Sequence, residues 1–507
     1  MKYQLYCTIL IASTLFTISA QKAQSQSLKT QTQAQTQKTP PQTPPALASI
    51  RQQDIKTDIF DMAGDHFRGR EAGTPDELKI AVWLAEKARA IGLRPGGDDG
   101  TFFQFFSMAR NRISPASTIA IGSHPFTLWT DVLIPQTAPA SVNAPILFID
   151  KTDTNRTDIK GKAVALIASP EGLNLHVSLP PRRYMALIAR RYAAGLLAKG
   201  AAAVIFIADD YAEAGWALNA SYADHGTYAN EGDAGDKVTE RQPILWLHAS
   251  ALPLVKDPAQ NLTVQLNIEH FLYPSVNVIG IEDGKDPIGK KEYVVFSGHL
   301  DHDGVRNIPG NDSIFNGADD NASVNVALMA IARAFHKQPG RRSALFIWHG
   351  AEERGLLGSR YYAVHPTVPK GSLVAVLNGD MIGRNSPDSA ALLGSIPPHR
   401  NSPELVAMGL AANQEGPKFL LDTAYDKASH IEGWYFRSDH LPYARAGIPA
   451  LFFTSLLHPD YHTPGDEPSR IDTEKITRIA QWMYRTGWKL ANADKRPALD
   501  PDFKLER

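Results

Sequence analysis

From about residue 275 onward, short unbroken apolar runs alternate with segments whose apolar positions recur at helical spacing. The runs are VNVIG (276–280), YVVFS (293–297), SALFIWH (343–349), LVAVLNG (373–379) and IPALFFT (448–454). Between the second and third, Val324, Ala327, Leu328, Ile331 and Phe335 mark one face of a helix predicted over 321–336. Apolar strands separated by helices predict a largely parallel sheet buried on both faces. The expected fold class is therefore α/β: a mostly parallel mixed sheet flanked by helices.

Upstream, Thr74-Pro75-Asp76-Glu77 reads as a capping box with proline at the first helical position. Ile80, Trp83, Leu84, Ala88 and Ile91 follow at helical spacing, and Gly92 ends the helix. From about Ser117 the texture changes to short strands: ILFID (146–150), AVALIA (163–168) and AVIFIA (203–208), with a helix around 184–198. Residues 209–243 are polar and rich in Gly, Asp and Asn, which predicts a long loop. The expected organisation is a host domain, 48–125 and 269–495, carrying a small β-rich α+β insert at 126–268, with a tail at 496–507.

The N-terminus changes the picture. Met1-Lys2 followed by the apolar stretch ending at Ala20 reads as an export signal over residues 1–20. Residues 21–47 are Gln-, Thr- and Pro-rich and predict a disordered linker. No later segment has eighteen continuous apolar residues, so no membrane span is expected after signal cleavage. The expected location is the periplasm or the outside of the cell.

Composition narrows the chemistry. The 507 residues are 43% hydrophobic and 21% charged, which excludes a disordered or disulfide-stapled chain. The net charge of −1 offers no basic excess for nucleic acid. Cys7, the only cysteine, falls within the signal, so neither a disulfide nor a thiolate metal cage is expected in the mature chain. Any metal must be held by His, Asp and Glu.

Those residue types gather where the apolar runs end. YVVFS leads into His299 and Asp301, SALFIWH into Glu352 and Glu353, LVAVLNG into Asp380, and IPALFFT toward Tyr461 and His462. Asp319 and Asp320 sit just before the 321–336 helix. Ligands of open α/β sheets bind beyond the carboxyl ends of the strands. Two imidazoles and several carboxylates suit zinc. Five protein ligands are too many for one open zinc site, and suit two ions about 3.5–4 Å apart with one carboxylate bridging. Asp301, two residues beyond His299, is placed to accept that ring's other N–H.

GHLD (298–301), GADDNAS (317–323), AEERGLLGS (351–359), NGD (378–380) and YHTPGDE (461–467) together resemble the M28 family of zinc-dependent peptidases, in that order. FRGREAGTPDELKIAVWLAEKARAIGLRP also resembles the start of such peptidases, and DIKGKAVALI with LLAKGAAAVIFIA resembles a protease-associated (PA) domain. The resemblance implies His299 and Asp380 on one zinc, Glu353 and His462 on the other, and Asp319 bridging. It implies a cis peptide bond between Asp319 and Asp320, with Asp301 and Asp320 supporting the ligands from outside. Glu352 would be the general base and Tyr461 the donor to the oxyanion. The substrates implied are peptides or proteins. Val324 departs from the family, which often has glycine there.

The leading expectation is an exported two-zinc aminopeptidase. A carboxypeptidase of the same fold is the first rival and would need a cationic pocket, for which Arg384 and Arg437 are candidates. Glutaminyl cyclisation, a one-zinc chemistry, fits the intact carboxylate set less well. A non-catalytic peptide-binding relative is the rival from another class, and would be expected to have lost ligands or base. His349-Gly350-Ala351-Glu352 mimics a His-x-x-Glu zinc pair, but that reading makes the proposed base a ligand. Ser438-Asp439-His440 is read as a loop near the pocket, and Arg182, Arg183, Arg190 and Arg191 as a solvated face of the insert.

Overall fold

The computed structural model describes residues 43–150, 153, 156–306, 312–369 and 371–505. The segment read as an export signal and most of the predicted linker thus lie outside the described residues.

Helix α1 (Pro75–Ile91) starts and stops where its end signals place it. Thr74 Oγ1 accepts from Asp76 N at 3.2 Å, and Gly92 closes the helix at φ 101°. Glu77 does not complete the expected capping box. It turns inward, accepting from Gly73 N at 2.7 Å and Ser275 Oγ at 2.6 Å.

A ten-stranded mixed sheet forms the frame. Its middle contains β1 (Phe103–Ile113), β2 (Ile268–Glu282), β3 (Tyr293–His299), β4 (Ser343–His349), β5 (Leu373–Gly379) and β6 (Ala450–Thr454). The order is β6-β5-β3-β4-β2-β1, with Ser389–Leu393 outside β6 and Thr227–Asn230 outside β1. The pairs β3–β4, β3–β5 and β5–β6 are parallel, whereas β4–β2 and β2–β1 are antiparallel. Every residue of β4 and β5 is buried, as their unbroken apolar runs require. Parallel strands end on the same side, so β3, β4, β5 and β6 release their following loops along one edge.

The insert leaves β1 after Ile113 and returns at Ile268, residues that face each other across the β1–β2 ladder. It builds an eight-stranded sheet of its own, around the parallel strands Ala163–Ile167, Ala203–Ile207 and Ile244–Leu247. Thr118–Ile121 and His124–Phe126 belong to this sheet, so the boundary lies near residue 114 and not at 126. Helix α2 (Pro180–Ala198) begins four residues before the predicted start, because Pro180 and Pro181 occupy its first turn. The expected loop at 209–243 contains helices Asp210–Ala214 and α3 (Trp216–His225), then strand Thr227–Asn230. That strand pairs with β1 and so joins the host sheet.

Helix α4 (Ser323–Lys337) packs with α5 (Thr473–Asn492) across β3 in the main core. Every residue of α4 from Ser323 to Ala332 is buried, so this helix is fixed from all sides. Its N-terminus points the 318–322 loop at the ligand-bearing strand ends.

Candidate metal centre

His299 ends β3 with its ring buried. Its Nδ1 lies 3.1 Å from the carbonyl oxygen of Asp301, while the Asp301 carboxylate is 3.8 Å away. The expected partner is therefore corrected to the backbone of Asp301, and this contact turns Nε2 into the cleft. The Asp301 carboxylate instead accepts from Glu352 N at 3.0 Å and Glu353 N at 3.2 Å. It fixes the turn after β4, which starts with Ala351 at φ 54°. Adjacent residues on that turn project to different places: Glu352 lies 4.0 Å from His299 Nε2, Glu353 3.3 Å from His462 Nε2.

The aspartate between the histidines is Asp320. Its Oδ1 is 3.2 Å from His299 Nε2 and its Oδ2 3.2 Å from His462 Nε2. Asp319, the bridging ligand implied by resemblance, points away. Its Oδ1 accepts from Gly383 N, and its Oδ2 faces His458 Nε2 at 3.4 Å. The cis peptide bond likewise falls one residue later, between Asp320 and Asn321. The Asp466 carboxylate accepts from the N–H groups of both Asp319 and Asp320. That clamp holds the loop in which the second aspartate faces the cleft.

Asp380, following β5, brings Oδ1 to 3.6 Å from His299 Nε2. His462 Nδ1 is 2.8 Å from Asp303 Oδ2, and the same oxygen accepts from Tyr222 of α3 at 2.7 Å. His302 Nδ1 is 2.9 Å from Glu353 Oε1 and orients that carboxylate. Arg70, fully buried, donates to the carbonyls of Leu300, Asn316 and Gly317, tying together two of the loops that carry the ligands.

Two carboxylate-rich sets thus meet at Asp320: His299, Asp320 and Asp380; and His462, Asp320 and Glu353. Their N···O separations run from 3.2 to 3.6 Å. Two ligand atoms about 2.0–2.1 Å from a tetrahedral zinc stand about 3.3 Å apart, so the spacing fits zinc on both sides. His299 Nε2 is buried without a hydrogen-bond partner, as a ligating nitrogen would be without its ion. The electrostatics agree. Burial pulls both imidazole pKa values down, yet the surrounding carboxylates hold them well above the usual range. The same negative field favours a divalent cation.

The residues face a cavity of about 360 Å³. Asp320, Glu352, Glu353, Asp380, Tyr461 and His462 line it on the host side, and Leu179, Arg182 and Arg183 come from the insert. Tyr461 Oη accepts from Arg437 at 2.8 Å, which leaves the phenol proton free to be donated. Burial raises Glu352 well above the ordinary carboxyl range, with Glu353 and Asp439 adding to it and His299 opposing it.

The misleading motifs are separated by the geometry. His349 Nε2 contacts Tyr443 Oη at 3.1 Å and its Nδ1 faces Asn277, while burial holds the ring down to about 3, so it is a neutral strand-end histidine. His440 stacks on Phe452 at 4.9 Å. Ser438 Oγ accepts from Asn378, and burial pushes Asp439 up to about 7. Arg384 is paired with Asp460 and does not line the cavity. Arg182 and Arg183 do line it, which corrects their reading as a solvated face. Asp303, His302 and Tyr222 went unmarked in the sequence. Of these, the Asp301-His302-Asp303 run after β3 carried a signal, three chemistry-bearing residues on one strand end.

Residues 277–486 match the family model described as Peptidase family M28. This segment belongs to peptidase family M28. Aminopeptidase YwaD of Bacillus subtilis (strain 168) is 28% identical over 230 residues, which cover 44% of this chain and 46% of that protein. A probable leucine aminopeptidase of Trichophyton verrucosum (strain HKI 0517) is 28% identical over 266 residues, 49% of this chain and 66% of the relative. These matches span about half to two thirds of the relatives' own lengths. Among solved structures, the zinc aminopeptidase BSAP from Bacillus subtilis superposes with a TM-score of 0.56 at 19% identity, covering 90% of this chain and 99% of that one. The aminopeptidase from Aneurinibacillus sp. strain AM-1 gives 0.55 at 18%, covering 90% and 97%. The likeness to both is one of fold, and the M28 segment contains every candidate ligand assembled above.

Proposed function

We propose that the protein is an exported di-zinc exopeptidase, an aminopeptidase that releases N-terminal residues from peptides. The observation that carries this reading is the pair of His/carboxylate sets sharing Asp320, with Glu352 and Tyr461 facing the same cavity. His299 and Asp380 would hold one zinc, His462 and Glu353 the other, and Asp320 both. Zinc in such a site supplies Lewis-acid polarisation of the scissile carbonyl and makes water a nucleophile near neutral pH. Glu352 takes a proton from the attacking water and delivers it to the departing amine, cleaving the C–N bond without net proton change. Tyr461 donates its hydroxyl to the oxygen on which negative charge develops, with Arg437 holding the ring oxygen in place. Asp303 keeps His462 in the tautomer that presents Nε2.

Two supports lie outside the site. The 1–20 segment reads as an export signal, and no helix among the described residues is long and apolar enough to cross a membrane. The names of the relatives favour the aminopeptidase direction over its rival. The insert, with its own sheet at 118–266, is read as a PA-like domain.

The direction of cleavage is tested by mass spectrometry of a peptide pool, half of it N-terminally acetylated, with the zinc-loaded mature protein. Stepwise loss from free N-termini only, abolished by chelator and restored by zinc, is expected. Loss from C-termini regardless of acetylation would make the protein a carboxypeptidase.

A further inference from the structure

The insert places charge in the cavity that metal binding does not absorb. Four carboxylates line it, those of Asp320, Glu352, Glu353 and Asp380, and two divalent ions would balance them. Three guanidiniums line it as well, from Arg182, Arg183 and Arg437. Against these stands one further carboxylate, Glu432, which accepts from Arg183 at 2.8 Å and from Arg437 at 2.9 Å. Ser178 donates to Glu432 through both N–H and hydroxyl, which fixes this cluster between insert and host.

Arg182 differs from the other two. Its guanidinium carbon lies over the Tyr222 ring, 3.7 Å from the centroid. Its nearest polar contact, at 3.4 Å, is His462 Nδ1. That nitrogen donates to the Asp303 carboxylate at 2.8 Å, so it carries a proton and cannot also accept from the guanidinium. Among the described residues no carboxylate stands within ion-pair distance of Arg182, and Asp303 and Glu353 attract it only from farther off. A half-buried guanidinium stacked on an aromatic ring, lining the cavity with no carboxylate in contact, is placed to receive an anion.

We infer that the cavity selects substrates bearing a carboxylate next to the scissile bond, with Arg182 as its specificity-determining contact. The inference rests on the peptidase reading and adds the substrate class. The carboxylate has two possible sources, an acidic side chain or the free C-terminus of a very short peptide.

The test compares matched substrates with free N-termini on the zinc-loaded mature protein. Ala-Ala against Ala-Ala-amide reads the terminal carboxylate. Glu-Ala-amide against Gln-Ala-amide, and Ala-Glu-amide against Ala-Gln-amide, read the side chain on either side of the bond. At least one pair should favour the carboxylate about tenfold in kcat/KM, the worth of one charge-assisted hydrogen bond. In Arg182→Gln that ratio should fall to near one, and Arg182→Lys should recover part of it. A carboxylate preference that survives in Arg182→Gln comes from another group of the cavity and overturns the assignment, as do ratios near one in the wild type. Calorimetry of the same ligands on zinc-loaded Glu352→Gln gives the binding ratio independently of turnover. No hydrolysis of any substrate, with a carboxylate preference in binding that depends on Arg182, would sink the peptidase reading and keep the anion site.

Discussion

Glu352 and Glu353 share one turn yet face different groups, because the Asp301 carboxylate pins both of their N–H groups and leaves the side chains to diverge. Both line the cavity, but Glu353 lies beside His462 and is held by His302, whereas Glu352 lies on the His299 side. Substitution should separate them. Glu352→Gln is expected to retain zinc and lose about 10²–10⁴-fold in kcat, the usual contribution of a general base. Glu353→Gln is expected to lose zinc itself. Metal analysis alongside kinetics checks both, and equal zinc loss in the two variants would contradict the division. At this scale the sequence showed residue types well and direction poorly. His299, Glu353, Asp380 and His462 were legible from their places after apolar runs. Asp319 and Asp320 were indistinguishable, because what separates them is the partners each meets, Gly383 and His458 for Asp319 and the two histidines for Asp320, all distant in sequence.

The elements that carry these residues were legible from periodicity because each buries a continuous apolar surface. β4 and β5 are buried throughout, and α4 is buried along its first ten residues. Helix α1 has a polar exception inside its apolar face. Glu77 is fully buried, and burial together with the nearby Asp301 pushes its carboxyl up to about 8 from 4.5. The sign of its effect follows. Between those two values the unfolded chain releases the proton while the folded chain keeps it, so stability falls as pH rises, by about 1.4 kcal/mol per pH unit. Glu77→Gln keeps an acceptor for Gly73 N–H and removes the titration. With zinc saturating throughout, the drop in Tm from pH 5.5 to pH 8 should be smaller in Glu77→Gln than in the wild type. Equal drops would show that Glu77 does not titrate in this window. The capping-box pattern gave no warning of the inward turn, since Ser275, its partner, lies on β2.

For the whole molecule, the central question is how the insert takes part. Its presence was legible from the change of texture near Ser117. Its reach was not, because Arg182 and Arg183 look like an exposed pair and Tyr222 lies in a polar stretch that reads as loop. The folded chain brings all three to the candidate site, Tyr222 through Asp303 to His462, Arg183 through Glu432 to Arg437, and Arg182 onto the Tyr222 ring. Tyr222→Phe deletes one hydroxyl and should weaken zinc retention about tenfold, at the low end for loss of a group supporting a ligand. Competition with a chelator measures this, and unchanged retention would remove the insert from the metal centre.

The account stands most directly on Asp320 as the residue shared by two ions. Zinc content per chain, measured for the wild type, Asp320→Asn and Asp319→Asn after identical loading and exhaustive dialysis, tests that claim. Two zinc ions in the wild type, two in Asp319→Asn and fewer than two in Asp320→Asn are predicted. One ion in the wild type, or loss in Asp319→Asn with full retention in Asp320→Asn, would contradict it.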